Sequence, residues 1–313
     1  MRLGIMALVI GYILDLLLGD PEWLYHPVRL IGKWITRMEK RLRAHGGNLR
    51  RSAVILTAST VLVTMAAVTL VMFLLSLLRR IPLLIGMALM DWMGIAVTCM
   101  AKESRGVEKA LEKGLPEARK QVARIVGRDT GKLNEEEIVR ATVETVAENT
   151  TDGVVSPLFW ALLGGPALMW GFKAANTLDS MVGYMDEKYR DIGWSSARLD
   201  DIMNWIPARM TALLMVCAAF LTGMDGKNAF RIVRRDNANH TSPNCAWSEA
   251  ATAGALHIQL GGTHEYFGKP VVKPTIGDAD RPAERQDIRR ANRLLYAASA
   301  LMMLMISVIG LLL

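Results

Sequence analysis

The chain has 313 residues, 51% of them hydrophobic and 21% charged, with a formal net charge of +7. The three cysteines, Cys99, Cys217 and Cys245, lie far apart and lack metal-ligand spacing, which excludes a disulfide framework and a cysteine zinc site. No Walker A loop and no G-x-G-x-x-G occurs, and the positive charge sits beside apolar segments, where lipid headgroups explain it better than nucleic acid does.

Residues 3–19 form the first apolar segment and contain Asp15. A cleaved signal peptide is the rival reading. The sequence continues Gly19-Asp20-Pro21 without a small-residue cleavage site, so a retained helix is expected. Residues 30–43, LIGKWITRMEKRLR, have the pattern of an amphipathic interfacial helix. Residues 53–78 carry no charge, and at ~1.5 Å per residue they give roughly 39 Å of helix, enough for an ~30 Å hydrocarbon core with tilt. Residues 81–101 follow, with the single acid Asp91, and 294–313 form the apolar C-terminal segment.

Two further apolar stretches are irregular. Residues 154–172 contain Pro157 and Gly164-Gly165-Pro166; residues 206–223 contain Pro207 and Arg209. Broken segments are tolerated at membrane depth only where protein or a water cavity satisfies the backbone. These two are therefore either true spans or re-entrant hairpins. The expected architecture is all-α: a polytopic integral membrane helical bundle with long polar cytoplasmic loops and possible re-entrant segments. Residues 1–313 read as a single membrane-embedded catalytic domain.

Loop charge predicts the orientation in the cell membrane. Residues 20–52 hold Arg29, Lys33, Arg37, Lys40, Arg41, Arg43, Arg50 and Arg51 against Asp20, Glu22 and Glu39. The positive-inside rule places this segment in the cytoplasm and the N-terminus outside; if the two irregular stretches cancel, 224–293 is also inside and the C-terminus outside. Segment 102–153 is cytoplasmic too. The side of 173–205 depends on whether the irregular stretches cross.

The polar segments carry the chemistry. In the first, Asn134 with Glu137 has the spacing of a capping box. The helix that follows places Glu144, Glu148 and Asp152 at intervals of four, along one drifting stripe beside Asn149. Such a stripe suits magnesium or is a solvated face. In the second, Asn176, Asp179, Asp186, Glu187, Asp200, Asp201 and Asn204 interleave with Lys188, Arg190 and Arg198. Acids for a metal beside bases for phosphate oxygens are what phosphoryl chemistry needs; the alternative is a salt-bridged surface loop. Asp179 and Asp186 share a face only if the helix persists through Gly183. In the third, Arg234, Arg235 and His240 precede Ser242-Pro243-Asn244, and Glu249 opens a small-residue stretch that packs closely. His240, His257 and His264 have no metal spacing, and Gly261-Gly262 is a turn signal. At the N-terminus, Asp15, Asp20, His26 and Arg29 are grouped, and an intramembrane acid is a functional candidate by default.

These residues resemble a known family. The D-x-x-x-G-D-P…H-P-V-R-x-I-G pattern near the N-terminus, E-N-T-x-D-G-V-V-S-P at 148–157 and N-T-L-D-S-M-V-G-Y…E-K-Y at 176–189 are similar to adenosylcobinamide-phosphate synthase, the CbiB/CobD-type membrane enzyme of cobalamin biosynthesis. So are A-R-L-D-D…N-W-I-P-A-R at 197–209 and S-P-N-x-x-W…E-A-x-x-A-G-A-L…Q-L-G-G at 242–262. The matches run in order over nearly the whole chain. Small departures fall at Met185-Asp186 and Asn239-His240, and the first makes Asp186 a poorer site candidate.

The resemblance implies an ATP-dependent amide ligation. An amino-alcohol phosphate, (R)-1-amino-2-propanol O-phosphate or ethanolamine phosphate, is joined to a propionate carboxylate of adenosylcobyric acid, giving adenosylcobinamide phosphate. A carboxylate must be activated, most simply as an acyl phosphate, which calls for magnesium and cationic groups. The amine must lose a proton to a carboxylate or histidine. On this reading Glu148, Asp152, Asp179, Asp200, Asp201 and His240 are catalytic candidates. Glu144, Glu148 and Asp152 are metal candidates. Asn149, Asn176, Lys188, Arg198, Arg209, Arg234, Arg235 and Asn244 are candidates for substrate and phosphate contacts. Beyond the substrates and the bilayer, a homo-oligomer or a complex with other late cobalamin-pathway enzymes is the expected partnership. Two rival classes are a transporter with broken helices and a lipid-headgroup transferase. Against the first stands the absence of a visible internal repeat. Against the second, Asp152-Gly153 leads into Val-Val-Ser-Pro rather than the CDP-alcohol motif.

Overall fold

The computed structural model describes residues 2–21, 23–266 and 269–312. In chain order the helices are α1 (Arg2–Leu18), α2 (Val28–Ala44), α3 (Leu49–Leu78), α4 (Arg80–Gly94), α5 (Val97–Lys113), α6 (Leu115–Val122) and α7 (Glu135–Thr150). A π-helical turn, Thr151–Val155, leads into α8 (Ser156–Val182), then α9 (Trp194–Leu221), α10 (Gly226–Asp236), α11 (Cys245–Leu256) and α12 (Arg285–Leu312). An antiparallel ribbon of β1 (Leu260–Tyr266) and β2 (Lys269–Ile276) separates α11 from α12, and its register shifts at Gly261/Gly262.

Among the described residues, five helical runs are long and apolar enough to cross a membrane: Leu49–Leu78, Arg80–Lys113, Glu135–Val182, Trp194–Leu221 and Arg285–Leu312. The chain is an all-α, multi-pass membrane protein. The 17-residue α1 is not among these five. The expected long polar loops are largely ordered structure: 102–134 is mostly α5 and α6, and 224–293 holds α10, α11 and the ribbon. Segment 81–101 is interrupted, because α4 stops at Gly94 and Ile95 is extended. Met169 packs on Gly94 so closely that a Cβ there would clash with its sulfur.

The chain forms two compact units. The first comprises Met1–Ala96, Ser156–Asn204 and Met305–Leu313. Here α1 lies on α4 through Gly11, where a Cβ would stand 2.8 Å from the Trp92 nitrogen and 2.9 Å from the Ala88 oxygen; small residues permit such close helix approach. Asn48 caps α3 by accepting the Arg50 and Arg51 N–H groups at 2.9 and 3.3 Å. The amphipathic α2 buries Ile31 and Ile35 among Leu56, Trp170, Ala174 and Leu178. Beyond the last donor of α4, the Met93 carbonyl accepts His26 Nε2–H at 2.9 Å, which supplies an orphaned helix-end acceptor.

The irregular stretch 154–172 is resolved by side-chain geometry. Ser156 Oγ donates to Asn204 Oδ1 at 2.5 Å, Asn204 donates to Asp200 at 3.0 Å, and Asn176 donates to the other Asp200 oxygen at 3.2 Å. A straight helix would hold positions 156 and 176 about 30 Å apart; three hydrogen bonds through two short side chains reach under about 20 Å. The chain therefore doubles back. The reversal is at Gly164 and Gly165, whose dihedrals leave the helix, with Gly165 at φ +63, a conformation glycine adopts without the Cβ penalty. The returning leg packs along α3: a Cβ on Gly171 would meet Met65 at 2.9 Å. Residues 156–176 form a helical hairpin. A cavity of about 520 Å³ adjoins its tip, walled by Leu3, Leu8, Met72, Met87 and 161–167.

The second unit comprises Val97–Val155 and Trp205–Leu304. Its central helix is α7, buried nearly all round through Ile138, Val139, Val143, Val146 and Ala147. The capping box forms: Asn134 accepts the Glu137 N–H at 2.9 Å, and the Glu137 carboxylate accepts the Asn134 N–H at 2.7 Å. The small-residue stretch packs α11 on α10, with Gly254 against the Ala229 backbone. Helix α11 ends on His257 in the left-handed conformation at φ 54. Of segment 206–223, residues 206–221 lie in the unbroken α9 and 222–223 in the turn that follows it.

Gly165→Ala should lower the melting temperature in detergent by an amount equivalent to about 1–2 kcal/mol, the cost of a Cβ at positive φ. An unchanged melt would mean that the hairpin tip is not held as described.

Candidate active site

Each unit contains a buried polar cluster. In the first unit, α8 brings Asn176 and Asp179 to α9, which contributes Asp200, Asp201 and Asn204. Asp200 is 9% exposed, and both its oxygens are hydrogen-bonded, to Asn176 and Asn204. Asp179 lies close enough to repel it electrostatically. Arg198 is exposed and reaches Asp201 at 3.7 Å. The Gly183 N–H closes the helix on the Asp179 carbonyl at 2.7 Å. Helix α8 ends at Val182, so Asp186 does not share a helix face with Asp179; its carboxylate caps a turn by accepting the Tyr189 N–H.

In the second unit the acid stripe meets α11 and the ribbon. Glu144 and Arg128 form a buried ion pair, their side chains 11% and 7% exposed. Another Glu144 oxygen accepts the Gly261 N–H at 2.8 Å, at the register shift of the ribbon. One turn on, Glu148 accepts a weak hydrogen bond from the Cys245 thiol at 3.4 Å. Asp152 falls in the π turn, a feature that recurs at functional sites, and it also acts electrostatically on Cys245.

Glu249, on α11, is buried and faces Glu144 and Glu148. Burial, then the two neighbouring carboxylates, hold its carboxyl well above the ordinary range. Burial, then the Glu148, Glu249 and Asp152 carboxylates, raise the Cys245 thiol, which makes it an inert thiol rather than a nucleophile. His240 Nδ1 accepts the Ser242 N–H at 3.0 Å, and Lys273 Nζ stands 3.5 Å from its Nε2. Burial and Lys273 lower the imidazole to about 4. A group that weakly basic suits hydrogen bonding at neutral pH better than proton abstraction.

The remaining candidates have settled surroundings. Asn149 donates to the Thr145 carbonyl of its own helix, and Asn244 is buried at the start of α11. Lys188 is exposed over the Tyr189 ring, and Arg234 is exposed over Phe230. Arg235 is bound to Asp236 and Asp278, so a phosphate would have to displace two carboxylates. Arg209 is stacked between the Trp205 and Trp247 rings. The structure brings Glu144, Glu148 and Asp152 together with His240, and Asn176 and Asp179 together with Asp200. Arg128, Lys273 and Ser156 carried no signal in spacing or pattern, since only tertiary packing delivers them. Glu249 was visible as the head of the small-residue stretch, but nothing in the sequence aimed it at the acid stripe. The His264 side chain lies outside the described residues.

Among the described residues, no group of three or more His, Cys, Asp or Glu is arranged to hold a metal ion. The donors are nonetheless hard oxygens, and magnesium is commonly held by one or two carboxylates plus substrate phosphates. Glu148 and Asp152 meet that smaller requirement, whereas Glu144 is already bonded to Arg128 and Gly261.

Fold and clusters together define a multi-pass helical membrane protein that carries buried acid–base sites. The chain matches the CobD/Cbib protein family over residues 8–295 and belongs to it. It is 48% identical over 310 residues to cobalamin biosynthesis protein CobD of Listeria monocytogenes, covering 97% of each chain. It is 50% identical to CobD of Geobacter metallireducens, covering 95% of this chain and 93% of the relative. Cobalamin biosynthesis protein CbiB of Salmonella arizonae is 46% identical over 301 residues, with 95% and 94% covered. No solved structure matches. The protein is an enzyme of cobalamin biosynthesis.

Two measurements check the second cluster. Arg128→Met should destabilise the protein by about 3–5 kcal/mol in thermal or denaturant melts, because it strands the buried Glu144. Adding Glu144→Gln should recover much of that loss; strictly additive effects would mean the pair is not coupled. For Glu249, a carboxyl raised above its usual 4.5 contributes stability below that pH and loses it as pH rises through the folded value. Glu249→Gln should therefore melt higher than the parent at alkaline pH, with the gap closing toward pH 4.5. A constant gap would show that Glu249 is ionised in the fold.

Proposed function

We propose that this enzyme forms the amide bond between an amino-alcohol phosphate and a propionate carboxylate of adenosylcobyric acid, at the expense of ATP. The observation that carries this reading is the second-unit cluster, where Glu148, Asp152 and Glu249 stand beside the cations Arg128 and Lys273. Acidic oxygens and cations side by side suit a reaction that handles phosphoryl groups and an ammonium at once. The ribbon and loops around the cluster are assigned to the cytoplasmic side, where ATP is available.

Magnesium, held by Glu148 and Asp152, would supply charge neutralisation for the phosphates. Lys273 and Arg128 stabilise negative oxygen atoms nearby; Arg128 also fixes Glu144 and, through it, the base of the ribbon. The ammonium of the amino alcohol finds carboxylates to bind it and to accept its proton as the nitrogen attacks the activated acyl carbon. Glu249, buried and with its carboxyl raised, favours the protonated form more than an exposed glutamate does. His240 orients through its neutral ring. Water exclusion matters because an acyl phosphate hydrolyses.

The test supplies adenosylcobyric acid, ATP, magnesium and aminopropanol phosphate to the purified protein in detergent. Amide product is expected, with ADP and phosphate in equal amount. A folded protein that makes none would refute the ligation. Glu148→Gln and Asp152→Asn should each lower turnover by about 10²-fold or more at limiting magnesium; wild-type turnover in both would remove the metal assignment.

A further inference from the structure

One cation in the second unit has no acid to balance it. Arg209 lies within an apolar stretch of α9, and among the described residues no carboxylate pairs with it. Its guanidinium is stacked instead between two indoles, 4.2 Å from the Trp205 ring centroid and 4.7 Å from that of Trp247. Nη1 also donates to the Trp205 carbonyl at 2.5 Å. Two indole rings contact the guanidinium and one nitrogen is tethered. What is left is an edge of N–H donors, in the plane that matches a carboxylate or phosphoryl group bidentately. Trp205 is 53% exposed and Arg209 half-buried, so the pair is not sealed inside the fold. Trp247 stands between Cys245 and Glu249 in α11, so the helix that carries part of the acid cluster also carries one wall of the sandwich.

We propose that Arg209 anchors a phosphoryl oxyanion of a soluble substrate, and that Trp205 and Trp247 are the positioning residues that fix its guanidinium for that contact. A free arginine side chain loses much rotamer freedom when it grips a ligand; two stacked rings remove that freedom in advance. The same rings shield part of the guanidinium from water, which strengthens its charge-assisted hydrogen bonds. An arginine flanked by tryptophans also occurs as a membrane-interface anchor, and the experiment separates the two roles.

The full chain in a phosphate-free detergent is titrated calorimetrically with O-phosphoethanolamine. Wild type should bind. Arg209→Gln should weaken binding by roughly tenfold or more, and Arg209→Lys by several-fold, because a lysine cannot form the fork. Trp247→Ala should weaken it by about three- to tenfold, and Trp247→Phe should return it to within about threefold of wild type. In the ligation assay, whose use rests on the function proposed above, Trp247→Ala should raise KM for the phosphorylated amine while kcat changes by less than about threefold. Wild-type binding by Arg209→Gln, or equal losses in Trp247→Ala and Trp247→Phe, would overturn the assignment. So would no binding by wild type at millimolar probe, or Arg209-dependent binding to phosphatidylglycerol vesicles without binding of the soluble phosphate. Intact, Arg209-dependent phosphate binding with no amide formed would count against the ligation alone.

Discussion

A polypeptide at membrane depth must satisfy its own backbone and side-chain polar groups, because the hydrocarbon offers no hydrogen bonds. The hairpin of residues 156–176 meets that constraint through one relay: Ser156 to Asn204, Asn204 to Asp200, and Asn176 to Asp200. The relay holds the two legs of α8 against the start of α9. It also buries Asp200 with both oxygens occupied, so the acid is positioned rather than loose. The turn itself depends on Gly165 at positive φ, where a side chain would be strained. The architecture of the first unit follows from this reversal, since the returning leg supplies Trp170, Ala174 and Leu178 to the core built with α2 and α3.

The second unit solves a related problem with charge. Its acids cannot be stacked in a dry interior as free anions, because each costs several kcal/mol to desolvate. Three compensations appear: Glu144 is paired with Arg128 and bonded to Gly261 N–H, the Glu249 carboxyl is raised well above its ordinary range, and Lys273 stands by His240. The π turn after α7 then carries Asp152 toward Cys245 instead of continuing the regular stripe. A binding region for a cation and for phosphoryl oxygens results without a preformed metal cage. Magnesium that enters with nucleotide needs no such cage.

Much of the fold was legible from residues alone. The uncharged run 53–78, the amphipathic 30–43 with Ile31 and Ile35 inward, and the Asn134–Glu137 capping box all depend on local spacing, and local spacing is enough for them. The resemblance to the cobalamin family was equally legible, because its motifs are strings of neighbouring residues. The ribbon was not anticipated beyond the Gly261-Gly262 turn signal. Its strands carry Pro270, Pro274 and several charges, so their alternation of apolar and polar residues is weak. The helix through Gly183 was left open, and it stops there: a Cβ at Gly183 would fall on the Asp179 carboxylate.

By itself, the sequence determined that this is a helical membrane protein, that its acids and amides cluster in three polar segments, and which family it belongs to. Those properties reside in composition, periodicity and contiguous motifs. Tertiary structure decided the rest: that 154–172 folds back instead of running straight, that Glu144 is committed to Arg128, that Glu249 is aimed at the acid stripe, and that Arg209 lies between two indoles. The physical reason is common to all four. Each depends on the distance between side chains remote in sequence, set by packing around small residues such as Gly165, Gly171 and Gly254, and no periodicity along one helix encodes the distance to another.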